Sequence, residues 1–173
     1  MSLLARTKAH YEKNRGEAML GAARALQALG LDVRISNCSR RTIEAIGSDW
    51  GDQRRPELSW NWEAILHRYK DLKSLDLAVW TPDDRLVMVA IATVSGAALH
   101  LRYVEGDPRA DCDFKGKRVL MALEVATRYA QLNGLTELRI NPVNDALAAL
   151  YETVYGFALV TPRAEASYWK RVI

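Results

Sequence analysis

The chain contains 173 residues, of which 49% are apolar and 26% are charged. This length suffices for one domain with a full hydrophobic core and is short for two. The composition is that of a globular protein and excludes a disordered chain as the default interpretation. The 24 basic and 21 acidic residues leave a net charge of +3, which does not indicate nucleic-acid binding unless the basic residues cluster.

The cysteines and the apolar segments give no sign of a metal site, an oxidising compartment or a membrane. Cys38 and Cys112 lie far apart and lack metal-ligand spacing, so two free thiols are a simpler interpretation than a disulfide. No apolar run reaches the roughly 18 residues that cross a bilayer. The N-terminal charges follow the short apolar stretch, the reverse of a secretory signal. We expect a cytoplasmic protein with no metal and no membrane contact.

The first 74 residues are predicted to be mainly helical. Residues 3–29 are rich in Ala, Leu, Lys, Arg and Glu and end at Gly30, which is typical of a helix and its C-terminal stop. Gly16 and Gly21 weaken the interior, so two shorter helices are an alternative to one. The elements predicted next are a strand at 31–35, a short helix at 40–46, a loop at 48–56, and a helix at 60–71 capped by Ser59.

From residue 75 onward the pattern changes to strands. Residues 75–80, 86–94 and 99–104 predict an antiparallel meander joined by turns at 81–85 and 95–96. Strict alternation in the third strand places Leu99, Leu101 and Tyr103 on one face. The remaining predicted elements are a helix at 117–133, a strand at 136–140 parallel to the third strand, a helix capped by Asn144, and strands at 157–160 and 168–173.

Three segments within this order are the most informative. They are LysGlyLysArg at 115–118, AsnGlyLeuThrGluLeuArgIle at 133–140, and AsnAspAlaLeuAlaAlaLeuTyrGluThrValTyrGlyPhe at 144–157. Together they resemble the GNAT superfamily of N-acetyltransferases. The third is the most specific, because it is similar to the family pattern of Asn, Ala, Leu-Tyr and Gly-Phe. The resemblance covers about 100 residues. It implies one α+β domain with a mixed, mostly antiparallel sheet of six to seven strands flanked by helices. Residues 75–173 form the best-matched core, and residues 1–30 form an N-terminal helical extension.

The resemblance also implies where acetyl-coenzyme A binds. In the family the pantetheine arm lies between two splayed strands, here near 99–104 and 136–140, so Tyr103 and Val104 are predicted cofactor contacts. The family Asn near that arm corresponds to Asn144. The family Tyr that protonates the departing thiolate corresponds to Tyr151, and a phenol with a pKa of about 10 is suited to that role. Packing alone is the alternative role for Tyr151.

The pyrophosphate-binding loop departs from the family pattern. Where the family has Gln or Arg and then two glycine or small positions, this chain has Lys115, Arg118 and Leu120. One interpretation is that basic side chains replace the backbone contacts; the other is that Arg118 and Leu120 close the pocket. Three cations at a helix start oppose the helix dipole and suggest an anionic partner. The predicted phosphate contacts are Lys115, Gly116, Lys117 and Arg118.

The acceptor side is less defined. Glu105 follows the third meander strand, where many family members carry a Glu that accepts the proton of the acceptor amine, so it is the predicted base. An ordinary loop acid is the alternative. The segment before the second family strand often walls the acceptor site, which makes Trp62, Glu63 and Tyr69 predicted substrate contacts. His100 lies on a polar strand face and is more typical of a solvated residue.

The predicted function is direct transfer of an acetyl group from acetyl-coenzyme A to a small-molecule or peptide amine. Neither Cys38 nor Cys112 has a neighbouring His that would make it a nucleophile. Two alternatives remain open: a catalytically inactive GNAT-fold binding or regulatory module, and an acyltransferase acting on aminoacyl-tRNA. The second would need one basic face, formed by Arg40, Arg41, Arg54, Arg55, Lys115, Lys117 and Arg118. For the N-terminal helical region three roles stay open: completing the fold, forming a homodimer, or contacting a partner.

Overall fold

A seven-stranded mixed sheet forms the centre of the molecule, with strand order β1-β2-β3-β4-β5-β7-β6. The computed structural model describes the backbone of residues 1–173 and every side chain except that of Leu58. Only β4 and β5 pair in parallel; the other neighbours are antiparallel. The strands are β1 Arg34–Ser36, β2 Leu75–Trp80, β3 Leu86–Ser95, β4 Ala98–Gly106, β5 Glu137–Ile140, β6 Ala158–Val160 and β7 Tyr168–Val172. The predicted sheet of six to seven strands is confirmed.

Five α-helices flank this sheet, together with three short helical turns. The helices are α1 Leu3–Ala28, α2 Arg40–Ala45, α3 Trp62–Tyr69, α4 Arg118–Leu132 and α5 Asp145–Thr153. The loop predicted at 48–56 is wrong in part, because turns of π- and 3₁₀-helix occupy Ile46–Trp50, Gly51–Gln53 and Pro56–Leu58. No helix, as far as its side chains are described, has the length and apolarity needed to cross a bilayer.

The helix predicted at 60–71 begins two residues later than expected. The Ser59 backbone N–H donates to the Pro56 carbonyl and so belongs to the preceding turn. Asn61 caps α3 instead, since its side-chain oxygen accepts from the Ala64 N–H at 3.0 Å. The first strand likewise lies at Arg34–Ser36 rather than 31–35. In both cases the element type is right and its boundary is wrong.

The sheet buries two cores, one on each face. On the first face α1 and α4 cover alternate strand residues such as Leu77 and Leu99. On the second face α2, α3 and the turn containing Trp50 cover residues such as Ala78 and Ile91. Both cysteines are free and buried, and burial raises the pKa of the Cys38 thiol, which keeps that thiol protonated and unreactive.

Helix α1 is one continuous helix and part of the first core. Ala18 and Ala22 are fully buried, which lets α1 approach α4 closely. Asn14 fixes the pairing, because its side-chain N–H groups donate to the Leu132 carbonyl at 3.2 Å and the Asn133 side chain at 2.9 Å. The N-terminal helix therefore completes the fold and is not an appendage to it.

Replacing Ala22 with Asp is expected to lower the free energy of unfolding by about 3 kcal/mol or more, because an unpaired carboxylate would enter this core. The matched control is Ala9→Asp, an exposed position of the same helix, expected to change it by less than about 0.5 kcal/mol. Urea unfolding followed by tryptophan fluorescence measures both. Equal stability of the two variants would show that α1 does not contribute to the core.

Candidate functional site

A cleft opens where β4 and β5 part. The two strands pair only from Ala98 with Glu137 to Leu101 with Ile140. Beyond this point Arg102 is an extra residue in β4, since Tyr103 lies opposite Ile91 while Leu101 lies opposite the adjacent Ala92. Such a β-bulge bends its strand. On the other side Pro142 lacks an N–H and cannot extend the ladder. The strands therefore separate and expose their facing edges.

The bulge also changes which side chains face which core. Leu99 and Leu101 lie in the first core, whereas Tyr103 packs in the second. The prediction that these three residues share one face is therefore wrong for Tyr103. The extra residue shifts the alternation by one position. Val104 returns to the first face and lines the cleft, whereas Tyr103 points to the α3 side.

The cleft has a volume of about 90 Å³ and a mainly apolar lining. Its walls come from three elements and from the segment before α3. The lining residues are Leu101, Arg102 and Val104 of β4, Ile140, Asn141, Pro142 and Val143 after β5, Leu147 and Tyr151 of α5, and Trp60. A narrow, apolar slot between two unpaired strand edges suits an extended chain with amide groups, because those edges present free backbone donors and acceptors.

Tyr151 is the one phenol of this lining. Its side chain is 6% exposed and packs on Tyr155 and Phe157, with ring centres 6.2 and 5.7 Å away. Among the described residues its hydroxyl has no hydrogen-bond partner within the protein. Burial, reinforced by the neighbouring Tyr155, raises the pKa of Tyr151 to about 12. The hydroxyl is thus held neutral, with its proton available to a group in the cleft.

The predicted base, Glu105, is almost fully engaged by other protein groups. Its carboxylate is 5% exposed and accepts two hydrogen bonds from the Arg54 guanidinium, both at 2.7 Å. The Trp62 indole N–H donates at 3.0 Å, and the Trp60 backbone N–H at 3.4 Å. These bonds tie the segment before α3 to the end of β4. The base role of Glu105 stays a prediction, and its contacts favour a positioning role.

An aromatic group joins the predicted substrate residues to the cleft. Trp60, Trp62 and Tyr69 surround the Tyr103 ring, with centre distances of 5.2, 6.4 and 5.8 Å. Trp62 is buried, Tyr69 is half-buried, and Glu63 is exposed in the first turn of α3. Trp60, absent from the predicted substrate contacts, is the member that lines the cleft.

The predicted phosphate contacts lie at the start of α4. Lys115, Gly116 and Lys117 are exposed, and Gly116 has a φ of 81°, which favours glycine. No acidic residue lies in the first turn of α4. The Arg118 side chain lies against Gly106, where any larger residue would collide with it, and it donates to the Asp107 carbonyl. Its Nε is buried without a partner among the described side chains.

A buried ionic network orders the long loop between β4 and α4. Asp107 is fully buried and accepts from Arg85 at 2.8 Å and from Arg109 at 2.9 Å. Although burial alone would raise its pKa, the hydrogen bonds from Arg109 and Arg85 hold the pKa of Asp107 below its usual value. Arg85 also pairs with Asp111. This loop is therefore anchored rather than free to cover the cleft.

Asn144 caps α5, since its side-chain oxygen accepts from the Leu147 N–H at 2.9 Å. A cofactor contact for Asn144 stays a prediction. A second asparagine, Asn141, is absent from the predicted contacts but lines the cleft. Its side-chain N–H donates to the Ser167 carbonyl, so its oxygen accepts from His100 Nε2 at 2.7 Å. This leaves His100 Nδ1 as the basic nitrogen. Burial, followed by the nearby Arg102 charge, lowers the pKa of His100.

No protein-family model and no curated protein sequence matches the chain. Its fold, however, matches solved GNAT structures. The GNAT domain of S. lividans PAT has a TM-score of 0.60 at 12% identity, over 82% of this chain and 90% of that one. The ribosomal-protein-S18-alanine N-acetyltransferase from Escherichia coli has a TM-score of 0.57 at 19% identity, over 80% of this chain and 90% of that one. PaiA N-acetyltransferase from Thermoplasma acidophilum, solved in complex with coenzyme A, has a TM-score of 0.53 at 15% identity, over 82% of this chain and 99% of that one. The predicted GNAT fold is confirmed.

Glu105→Ala is expected to reduce the free energy of unfolding by about 3–5 kcal/mol, because it leaves the largely buried Arg54 guanidinium unpaired. Glu63→Ala, an exposed carboxylate of α3, is the control and should change it by less than about 0.5 kcal/mol. Denaturant titration gives both values. A Glu105→Ala protein as stable as the control would contradict the positioning role.

Proposed function

We propose that the chain is an acetyl-coenzyme A-dependent N-acetyltransferase that acts on an amine. The observation that carries the proposal is the Tyr151 phenol in the cleft between the parted strands, which is neutral and has no hydrogen-bond partner among the described residues. Support comes from the fold, which is shared with N-acetyltransferases and with a protein solved in complex with coenzyme A. Tyr151 also occupies the position of the Tyr in the family pattern.

The residues at the start of α4 fit an anionic pyrophosphate. The Arg118 guanidinium lies here, with its Nε buried and without a partner among the described side chains; its charge favours an anion. The first N–H groups of α4 have no intrahelical partner and add a favourable dipole. Lys115 and Lys117 supply further charge. Side-chain donors would thus hold the phosphates here, in place of a glycine-rich backbone cradle.

When bound, acetyl-coenzyme A supplies an acetyl group as a thioester. The cleft lining from Leu101, Val104 and Leu147 binds the arm and excludes water from its inner end. Tyr151 holds its proton on the phenol oxygen and donates it toward the sulfur that departs as a thiol. A phenol with a pKa of about 12 is a hydrogen-bond donor throughout the neutral pH range, so this role does not depend on a titration near pH 7.

The proton released by the acceptor amine needs a separate group. Glu105 carries the bonds to Arg54 and Trp62 described above. His100 is one hydrogen bond from the cleft through Asn141 and, with its lowered pKa, is neutral at pH 7. We therefore propose His100 Nδ1, through water, as the proton acceptor, and Glu105 as the residue that fixes the acceptor wall.

A catalytically inactive binding module is the second candidate. It is favoured by the Arg118 side chain lying over Gly106, in the place that a phosphate group would approach. The tRNA-directed alternative has less support, because Arg40, Arg41 and Arg54 of its basic set pair with the carboxylates of Glu44, Asp84 and Glu105.

Acetyl-coenzyme A at 100 times its dissociation constant is expected to stabilise the protein by about 2.7 kcal/mol. This raises the unfolding temperature by roughly 5–10 °C for a chain of this size. Arg118→Glu should reduce the shift, because it replaces a phosphate donor with a like charge. Differential scanning fluorimetry measures both. No shift at millimolar ligand would select the inactive module.

Tyr151→Phe is expected to lower kcat/KM for acetyl transfer by about 100-fold or more, while the retained ring keeps the packing on Tyr155 and Phe157. Tyr155→Phe, whose hydroxyl lies outside the cleft lining, is the matched control and should keep the wild-type rate. Free thiol release measured with a chromogenic disulfide reports both. Full activity of Tyr151→Phe would remove the acid role.

The wild-type kcat/KM is expected to fall as the pH drops through the pKa of His100, below its ordinary value of about 6.5. The sign follows from the neutral imidazole being the active form, so activity is present above that pKa and lost below it. His100→Gln should lower the rate and remove this acidic limb. If the limb persists in His100→Gln, Glu105 regains its place as the proton acceptor.

A further inference from the structure

Two arginines share one tyrosine ring, and one of the two, Arg102, lines the cleft. The guanidinium carbons of Arg68 and Arg102 each lie 5.2 Å from the centre of the Tyr69 ring. The two charges are therefore no further apart than twice that distance. Both side chains are exposed. Contact with the same half-buried ring therefore keeps the two guanidinium groups near each other.

Neither of these arginines has an ion-pair partner among the described residues. Arg34, Arg54, Arg85 and Arg139, by contrast, each pair with a carboxylate. Arg102 makes one side-chain hydrogen bond, from Nε to the Thr93 hydroxyl at 2.6 Å. That bond orients the guanidinium and leaves both terminal nitrogens available, which are the pair that binds an oxyanion in bidentate geometry.

The position of Arg102 connects this charge to the proposed chemistry. Arg102 is the bulged residue of β4 and lines the same cleft as Tyr151 and Trp60. Further along the same sheet face, Arg139 and Lys170 share the single carboxylate of Glu137, so the positive charge continues there. A molecule that enters the cleft from the α3 side therefore meets uncompensated positive charge before it reaches Tyr151.

We propose that Arg68 and Arg102, held by Tyr69, form an oxyanion-binding subsite for the acceptor. The acceptor is then a small amine that also carries a carboxylate or a phosphate group. This inference rests on the proposed acetyltransferase function and names its substrate class. Because Arg102 and Tyr151 line one small cleft, the amine and the oxyanion belong to the same small molecule, a few bonds apart.

Two matched pairs of probes test the subsite: 4-aminobutyrate against 4-aminobutyramide, and phosphoethanolamine against ethanolamine. Each pair keeps the amine and removes the negative charge. In acetyl-transfer assays, at least one anionic probe is expected to exceed its neutral partner about tenfold in kcat/KM, mostly through KM. The pair that shows the larger ratio distinguishes a carboxylate acceptor from a phosphate acceptor.

Arg68→Gln should reduce that ratio toward one while keeping the rate on the neutral probe. Arg102→Gln should reduce the ratio as well, with no requirement on its rate with the neutral probe, because Arg102 also lines the cleft. Arg24→Gln, an exposed arginine of α1 on the opposite side of the sheet, should leave the ratio unchanged. Arg68→Gln keeps the test valid if loss of the Thr93 bond unfolds the Arg102 variant. Equal use of charged and neutral probes by the wild type, or an unchanged ratio in Arg68→Gln, would overturn the proposal.

A binding measurement separates this inference from the proposed function. Calorimetric titration of each probe into the protein alone should detect the anionic members and not their neutral partners, with the signal lost in Arg68→Gln. Binding of the anionic probes without any thermal shift from acetyl-coenzyme A would keep the subsite and reject the acetyltransferase. A shift with acetyl-coenzyme A and no anion preference would keep the enzyme and reject the subsite.

Discussion

Strands β4 and β5 hydrogen-bond only as far as Leu101 and Ile140, and the candidate site depends on this limit. A parallel pair that continued would satisfy its own backbone groups and leave no cleft. The extra residue Arg102 on one side and Pro142 on the other end the ladder at the same level. The exposed edges, the apolar lining and the placement of Tyr151 all follow from that interruption.

A second constraint connects the N-terminal half of the chain to the cleft. The Glu105 carboxylate, at the end of the bulged strand, binds Arg54 and the indole of Trp62. Removing these charges from water is costly, and their mutual hydrogen bonds compensate for it. The pair therefore specifies where the aromatic wall sits. Glu105 holds residues 60–62 against the end of β4. As a result Trp60 lines the cleft, and Tyr69 packs beside it on the Tyr103 ring.

Element types and their order could be predicted from the sequence because they depend on local patterns. The meander, the parallel strand at 137–140 and the Asn144 cap all follow from periodicity and capping chemistry. The bulge at Arg102 could not be predicted, since apolar and polar residues alternate without a break from Leu99 to Tyr103. Because of the bulge, Tyr103 packs in the second core and not on the predicted face with Leu99 and Leu101. Contacts between residues far apart in sequence, such as Arg54 with Glu105, cannot be predicted from local patterns either. For this reason the sequence predicts Glu105 as a base, whereas in the structure its carboxylate accepts four hydrogen bonds from protein groups.

The structure bears on the predicted departure from the family pattern at the start of α4. Arg118, predicted to stand at a glycine position of that pattern, lies over Gly106 and donates to the Asp107 carbonyl. Its buried Nε has no partner among the described side chains. Gly106 is required there, because a larger residue would meet the arginine. If the Arg118 guanidinium binds the phosphates, the chain is an enzyme. If it blocks their approach, the chain is an inactive module.

Hydrogen–deuterium exchange with and without coenzyme A tests the account most directly, because it reports on the unpaired strand edges themselves. Bound ligand is expected to slow exchange at the amides of residues 102–105 and 118–120 and at Asn141 and Val143, with little change in α1. Unchanged exchange in these segments at saturating coenzyme A would contradict the assignment of the cleft as the cofactor site.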